Sequence, residues 1–257
     1  MRVLGKPGNT AFQRHVTYLL GSPKETKRTD QLTKRERRGI TDSSLSLEET
    51  SSNVSAIARK YLRRMNSPDF RVLRELEIEV LQKEVEFRET DNVLSLGSGP
   101  AVVESFIASN ITPKGTMNCL DISHEMVNHA QKFVEKLNEL NGLNNLLIRQ
   151  GSATQIPLPD KSQDKVLALQ TTFMNSPHFS EILGEVRRVL KTDAHSVFIF
   201  THGDSLKTHV KNTRKIVDLL RKNHFVVLAA RPFALLNQNE LGKIFVARPE
   251  TVLDVRR

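Results

Sequence analysis

Asn92-Val93-Leu94-Ser95-Leu96-Gly97-Ser98-Gly99-Pro100-Ala101 is the stretch that decides the fold. Val93 to Leu96 read as a short buried strand. A Gly-x-Gly turn follows at once, and the apolar stretch near 101–110 reads as a helix. Glycine belongs where backbone must approach a ligand with no Cβ in the way. Strand, glycine turn and helix in this order form the ligand corner of open α/β sheets. Asp121 ends the next apolar run, 22 residues beyond Gly99. A carboxylate at that distance can accept hydrogen bonds from two ribose hydroxyls. The dinucleotide fingerprint Gly-x-Gly-x-x-Gly is not met, because position 102 is Val. Pro100 also removes an N–H donor from the turn. The corner therefore suits a nucleoside cofactor without a pyrophosphate.

Outward from this corner, short apolar runs alternate with helical stretches. The strands are expected at 93–96, 117–120, 146–149, 165–169, 196–201, 225–229 and 243–247. Helices are expected near 101–110, 123–140 and 178–190. Ser123 caps the second of these, and Asn141-Gly142 ends it. Such alternation means a parallel sheet with helices on both faces. Thirteen residues separate Ala229 from Lys243, with Pro232 and Asn237-Gln238-Asn239 among them. That is too short for a comfortable crossover helix, so the last strand is expected to be antiparallel.

Before residue 89 the chain changes character. Residues 54–65 read as a basic helix, and 69–88 as an amphipathic one with Leu73, Leu76, Val80 and Phe87 on one side. Residues 1–53 are rich in Gly, Ser, Thr and charge, with little apolar periodicity, and are expected to be a disordered basic extension. Within them, 11–20 could form a short helix. Residues 1–75 carry +8 of the chain's net charge of +9, leaving +1 for the rest. The bland reading of the extension is a solvated tail. Its functional readings are an anion-attracting arm, for RNA or an acidic partner, and a targeting segment. The cluster Lys34-Arg35-Glu36-Arg37-Arg38 lacks the aromatic neighbours that stack on bases, and the first 24 residues hold no acid, weakly resembling a mitochondrial presequence.

Composition excludes other classes. No apolar run approaches the roughly 18–20 residues of a membrane span. One cysteine, Cys119, excludes a disulfide framework and a cysteine zinc cluster, and no metal site is read. No secretory signal is seen in residues 1–24, so a cytoplasmic location is expected, with the mitochondrial matrix as the alternative.

The downstream motifs name a family. Cys119-Leu120-Asp121-Ile122-Ser123-His124-Glu125-Met126, Gly151-Ser152-Ala153-Thr154-Gln155-Ile156-Pro157-Leu158-Pro159-Asp160 and Glu185-Val186-Arg187-Arg188-Val189-Leu190-Lys191 follow the first motif in register. Together the four resemble the class I S-adenosylmethionine (SAM)-dependent methyltransferases. The resemblance is to the group of ubiquinone/menaquinone-biosynthesis small-molecule methyltransferases, over about residues 85–250. It implies a Rossmann-like seven-stranded sheet in the order 3-2-1-4-5-7-6, and a methyltransferase domain over 89–250 with a tail at 251–257. It also implies that the helices of 54–88 form a lid, with Tyr61 among them.

The resemblance further implies SAM as cofactor and a small-molecule methyl acceptor. Gly97 and Gly99 would line the methionine moiety and ribose, and Asp121 would hold the ribose hydroxyls. Ile122 would pack on adenine, Ser152 and Ala153 would border its edge, and Gln170 would line the methionine side. Three positions depart from the pattern. Ser95 stands where the family usually has an acid that helps hold the cofactor's amino acid end. Ala101 replaces a third glycine, and Ser152 replaces an acid that meets the adenine amino group. No Asn-Pro-Pro-Tyr-like motif follows the fourth strand, which runs into Gln170-Thr171-Thr172-Phe173. That disfavours methylation of planar amino groups in the family's usual way. His178, His202 and Asp204 lie after strand ends where a base could sit, but none is assigned a catalytic role. Two rival readings are a non-catalytic RNA- or protein-binding module on a degenerate SAM fold, and a nicotinamide-dependent oxidoreductase, which Val102 opposes.

Overall fold

The computed structural model describes residues 2–3, 10–24, 36, 46–171, 176–205, 209–237 and 240–251. In chain order the elements are β1 (Arg2–Val3), α1 (Ala11–Leu20), α2 (Leu47–Met65), α3 (Pro68–Glu84), β2 (Val93–Leu96), α4 (Val102–Asn110), β3 (Met117–Asp121), α5 (His124–Asn141) and β4 (Leu146–Gln150). They continue with β5 (Lys165–Leu169), α6 (Phe179–Val189), β6 (Val197–Ser205), α7 (His209–Lys222), β7 (Phe225–Asn237) and β8 (Glu240–Pro249).

One sheet holds every strand, in the order β1-β7-β8-β6-β5-β2-β3-β4. β4, β3, β2, β5 and β6 are parallel neighbours, and β8 runs antiparallel to both β6 and β7. From β2 onward the seven strands read 3-2-1-4-5-7-6, as expected. The eighth, β1, pairs parallel with β7 through Arg2↔Ala234 and Val3↔Leu235. The β7–β8 hairpin is much longer than the sequence suggested, with register irregularities near Val227, Pro232 and Leu235. Such bulges let a long ribbon twist without leaving its partner.

Side chains alternate across the sheet. Val93, Cys119, Leu167 and Ile199 pack against α1, α4 and α5. Leu94, Leu120, Val166, Phe198 and Phe200 pack against α6 and α7 on the other face. There the Phe200 and Phe245 rings stack in parallel, with centroids 4.7 Å apart.

The reading of 1–53 as a disordered extension needs correction at residues 10–24 and 46–53, and the short helix expected at 11–20 is present as α1. α1 buries Phe12, Val16 and Leu19, which recur at helical spacing. Phe12 meets Phe106 of α4 edge to face at 5.3 Å. The buried Arg71 guanidinium ties the same helix to α3, reaching Thr17 Oγ1 at 2.9 Å and also Gly21 O and Asn66 Oδ1. α2 also begins earlier than position 54. Ser46 and Glu49 form a reciprocal capping box that starts it at Leu47. The Lys34–Arg38 cluster, apart from Glu36, and the tail from 252 lie outside the described residues.

At the amino-terminal edge of the sheet, Asp91 accepts from His195 Nε2 at 2.8 Å and lies 3.6 Å from Lys165 Nζ. All three are buried or nearly so, which locks β2, β5 and β6 together at the edge opposite the glycine turn. Among the described residues, no helix is long and apolar enough to cross a membrane.

Candidate functional site

β2 delivers the chain into the turn at the centre of the sheet, where the strand order reverses. Gly97 and Gly99 both take positive φ, at 64° and 56°. This is the left-handed region that side chains disfavour and that glycine enters freely. Ala101 also sits there, at φ 55°. It stands where the family pattern has its third glycine, so the backbone path is kept at the expense of some strain.

Asp121 closes the corner from the neighbouring strand. Its Oδ2 accepts from the Gly99 amide at 2.7 Å, and its Oδ1 accepts from the Ser123 amide at 2.9 Å. Burial pushes its pKa up, and the two amides pull the other way. Ile122, the next residue, offers its carbonyl to Ser51 Oγ of α2 at 2.8 Å. Ser55 Oγ meets Ser123 Oγ at 2.8 Å. A Cβ on Gly99 would lie 3.7 Å from the Tyr61 ring. α2 thus covers the turn through Ser51, Ser55 and Tyr61.

Below Tyr61 lies a buried polar cluster that the sequence pattern concealed. Arg74 Nη2 donates to Tyr61 Oη at 3.1 Å, and Arg74 is ion-paired with Glu77 one turn along α3. The Thr201 hydroxyl donates to Glu77, and Gln170 Nε2 approaches the same oxygen at 3.4 Å. Gln170 takes φ 55° as β5 ends, and its amide donates to Thr201 Oγ1 at 3.0 Å. On the α4 side, the Ser95 hydroxyl donates to Glu104 Oε1 at 2.8 Å. Burial raises the Glu104 pKa to about 7, against the pull of the Ser95 hydrogen bond and the Arg74 charge. Burial opposes the Arg74 charge most strongly, but Glu77, Tyr61 and Glu104 together outweigh it and the guanidinium pKa is raised.

The expected site residues therefore fall into groups. Gly97, Gly99, Asp121 and Ile122 share one corner, and Ser95 and Gln170 belong to the cluster beside it. Ser152 and Ala153 lie past β4, where Ser152 Oγ meets Thr154 Oγ1 at 2.8 Å and Ala153 is buried. A cavity of about 830 Å³ opens beside Gly151 and Ser152, with Gln155, Pro157 and Arg188 also in its wall.

The histidines do not join the site. His178 is partly exposed at the start of α6, 3.1 Å from Glu181. His202 pairs in register with Lys243 and alternates with Thr201, so it points to the α7 face while Thr201 points to Glu77. The Asp204 side chain lies outside the described residues. Arg74, Glu77, Glu104 and Thr201 are the residues that sequence reasoning missed. Glu104 alone left a signal, as the one charge inside the Val102–Ile107 run.

These residues fit an adenosyl cofactor that carries a cation. The glycine turn leaves the backbone open to close approach, the Asp121 carboxylate lies against it at the end of the neighbouring strand, and the nearby polar cluster holds two acids for one guanidinium among the described residues.

Residues 93–193 match the family described as a methyltransferase domain. A demethylmenaquinone methyltransferase of Listeria welshimeri is 32% identical over 100 residues, covering 39% of this chain and 40% of that one. A fatty-acid O-methyltransferase of Mycolicibacterium smegmatis is 31% identical over 113 residues, covering 44% of this chain and 37% of that one. The chain thus spans about two-fifths of the length of these curated relatives. Among solved structures, a SAM-dependent methyltransferase from Aquifex aeolicus superposes with a TM-score of 0.52 at 22% identity, covering 66% of this chain and 88% of that one.

Proposed function

We propose that this chain, with a methyltransferase domain over residues 93–193, is a SAM-dependent methyltransferase acting on a small-molecule acceptor. One observation carries the reading: the Gly99 amide and the Asp121 carboxylate meet at the carboxyl edge of β2 and β3, in a sheet of the expected order. When bound, SAM supplies an electrophilic methyl group on a positive sulfonium. The protein's part is placement and exclusion of water.

Gly97 and Gly99 let the backbone approach the cofactor, and Asp121 orients the ribose. Ile122, Ser152 and Ala153 bound the adenine end. α2 and α3 form the lid over this corner. Because Asp121 already bonds two amides and α2 lies across the turn, cofactor entry requires α2 to move and the Asp121 contacts to rearrange. The acceptor side is assigned to the junction of α3 and β7, where Val72, Leu73 and Leu76 gather with Phe233 in a buried apolar cluster that suits an apolar acceptor once the lid moves. With His178 and His202 turned away, no side-chain base is assigned. A reducing compartment, the cytoplasm or the mitochondrial matrix, suits the single buried thiol of Cys119.

The test is transfer itself. The purified chain is incubated with methyl-labelled SAM and a small-molecule extract, and products are separated by chromatography. A labelled apolar product that disappears in Gly99→Val supports the reading. SAM binding without any labelled product across extracts favours the non-catalytic alternative.

A further inference from the structure

The buried cluster between α3, α4 and the strand ends is incomplete in two respects. Glu77 and Glu104 bring two carboxylates, and Arg74 brings the one guanidinium that faces both. Among the described residues, the other titratable groups packed against Glu104 and Arg74 are Tyr61 from α2 and Cys119 from β3, and neither supplies a cation. Counted over the described residues, the cluster is one positive charge short. It also has one donor too many: Arg74 Nε is buried with no hydrogen-bond partner among the described residues. Buried donors are nearly always paired, and a buried carboxylate without a counter-charge is costly.

One chemical group satisfies both demands. An α-amino acid zwitterion offers an ammonium to the surplus carboxylate and a carboxylate to the idle N–H. The cluster also stands in the right place. Ser95, bonded to Glu104, lies two residues before Gly97, and Tyr61, bonded to Arg74, lies over Gly99, where an added Cβ would sit 3.7 Å from its ring.

We infer that Glu104 and Arg74 clamp the α-amino acid end of the cofactor, Glu104 accepting from its ammonium and Arg74 Nε donating to its carboxylate. The acid absent from position 95 is thus supplied from the helix, and the Ser95 hydroxyl aims it. This rests on the SAM-binding reading above and deepens it. Arg74 keeps its ion pair with Glu77, so the guanidinium is fixed before the ligand arrives. Glu104 acts on ground-state binding and touches no reacting atom.

The test pairs a protein truncation with a ligand truncation. S-adenosylhomocysteine and 5′-methylthioadenosine share the adenosine, but only the first has the amino acid end. Both are titrated calorimetrically into the full chain and into Glu104→Gln, which keeps the side chain's size and removes its charge. The clamp predicts that Glu104→Gln weakens S-adenosylhomocysteine by roughly 10- to 100-fold, the strength of a charge-assisted hydrogen bond. Binding of 5′-methylthioadenosine should stay within about twofold, since it makes no contact with Glu104. Arg74→Lys, which keeps the charge opposite Glu77 but lacks Nε, should show the same split. If Arg74→Lys does not fold, Glu104→Gln decides alone. Equal weakening of both ligands, or no weakening of either, would overturn the clamp. Failure of the unsubstituted chain to bind either ligand would instead overturn the SAM-binding reading beneath it.

Discussion

The Gly99 amide donates to Asp121 Oδ2 across 2.7 Å, joining the tip of the glycine turn to the end of the neighbouring strand. The bond makes the turn and the carboxylate one unit. Either can move only if the other gives way, and α2 closes over both.

Asp121→Ala should therefore have two effects. It strands the Gly99 and Ser123 amides, which should lower stability by about 1–3 kcal/mol. It also removes the ribose acceptor, so SAM affinity should fall by at least about tenfold. Urea unfolding and calorimetry read the two separately. A stability loss without an affinity loss would make Asp121 a cap and nothing more.

Glu104 predicts a pH dependence of opposite sign for folding and for binding. Burial raises its pKa from 4.5 to about 7, so the folded chain holds a proton that the unfolded chain releases. Its contribution therefore favours folding at low pH and is lost between about 4.5 and 7, a swing of up to roughly 3 kcal/mol. Glu104→Gln should flatten that slope in urea titrations at pH 5 and pH 8. Cofactor binding needs the ionised carboxylate. SAM affinity should therefore weaken as pH falls below about 7, with a proton released on binding. Calorimetry in buffers of different ionisation enthalpy detects that proton.

Phe12 tests whether the amino-terminal helix is part of the core. It is 3% exposed and packs edge to face on Phe106. Phe12→Ala should cost about 3–5 kcal/mol in chemical denaturation, the usual range for an emptied aromatic site. A solvated arm would give no measurable change.

Asp91 separates stability from function. It is buried against Lys165 and His195 at the sheet edge away from the turn. Asp91→Ala removes the nearest counter-charge of the buried Lys165, leaving it only the weaker fields of Asp164 and Asp193, and should cost about 3–5 kcal/mol. In the fraction that stays folded, SAM affinity should be unchanged when measured by calorimetry.

The sheet was legible because its strands are short apolar runs between capped helices, and because the β7–β8 connection leaves no room for a crossover. The corner was legible for the same local reason: Gly97, Gly99 and Asp121 are spaced along the chain as they are in space. α1 was legible as a short helix at 11–20 but its docking was not. Its three core residues lie in polar sequence, and its anchor, Arg71, is a charge that reads as solvent-facing until α3 is packed. The Ser46–Glu49 capping box starts α2 inside a stretch whose Ser- and Thr-rich composition is that of a loop. Arg74 and Glu77 were hidden because an acid–base pair three residues apart on a helix is the pattern of an exposed face. Only the long-range contacts with Tyr61, Gln170 and Thr201 reveal that this face is buried.

The central claim is that the Gly97–Gly99 corner with Asp121 receives SAM. Calorimetric titration of SAM into the full chain, with NAD as the comparison ligand, tests it most directly. The account predicts saturable binding of SAM at one site per chain, no heat from NAD, and loss of the SAM signal in Gly99→Val, whose side chain meets Tyr61 at a backbone angle valine resists. Absence of SAM binding, or SAM binding as tight in Gly99→Val as in the unsubstituted chain, would contradict it.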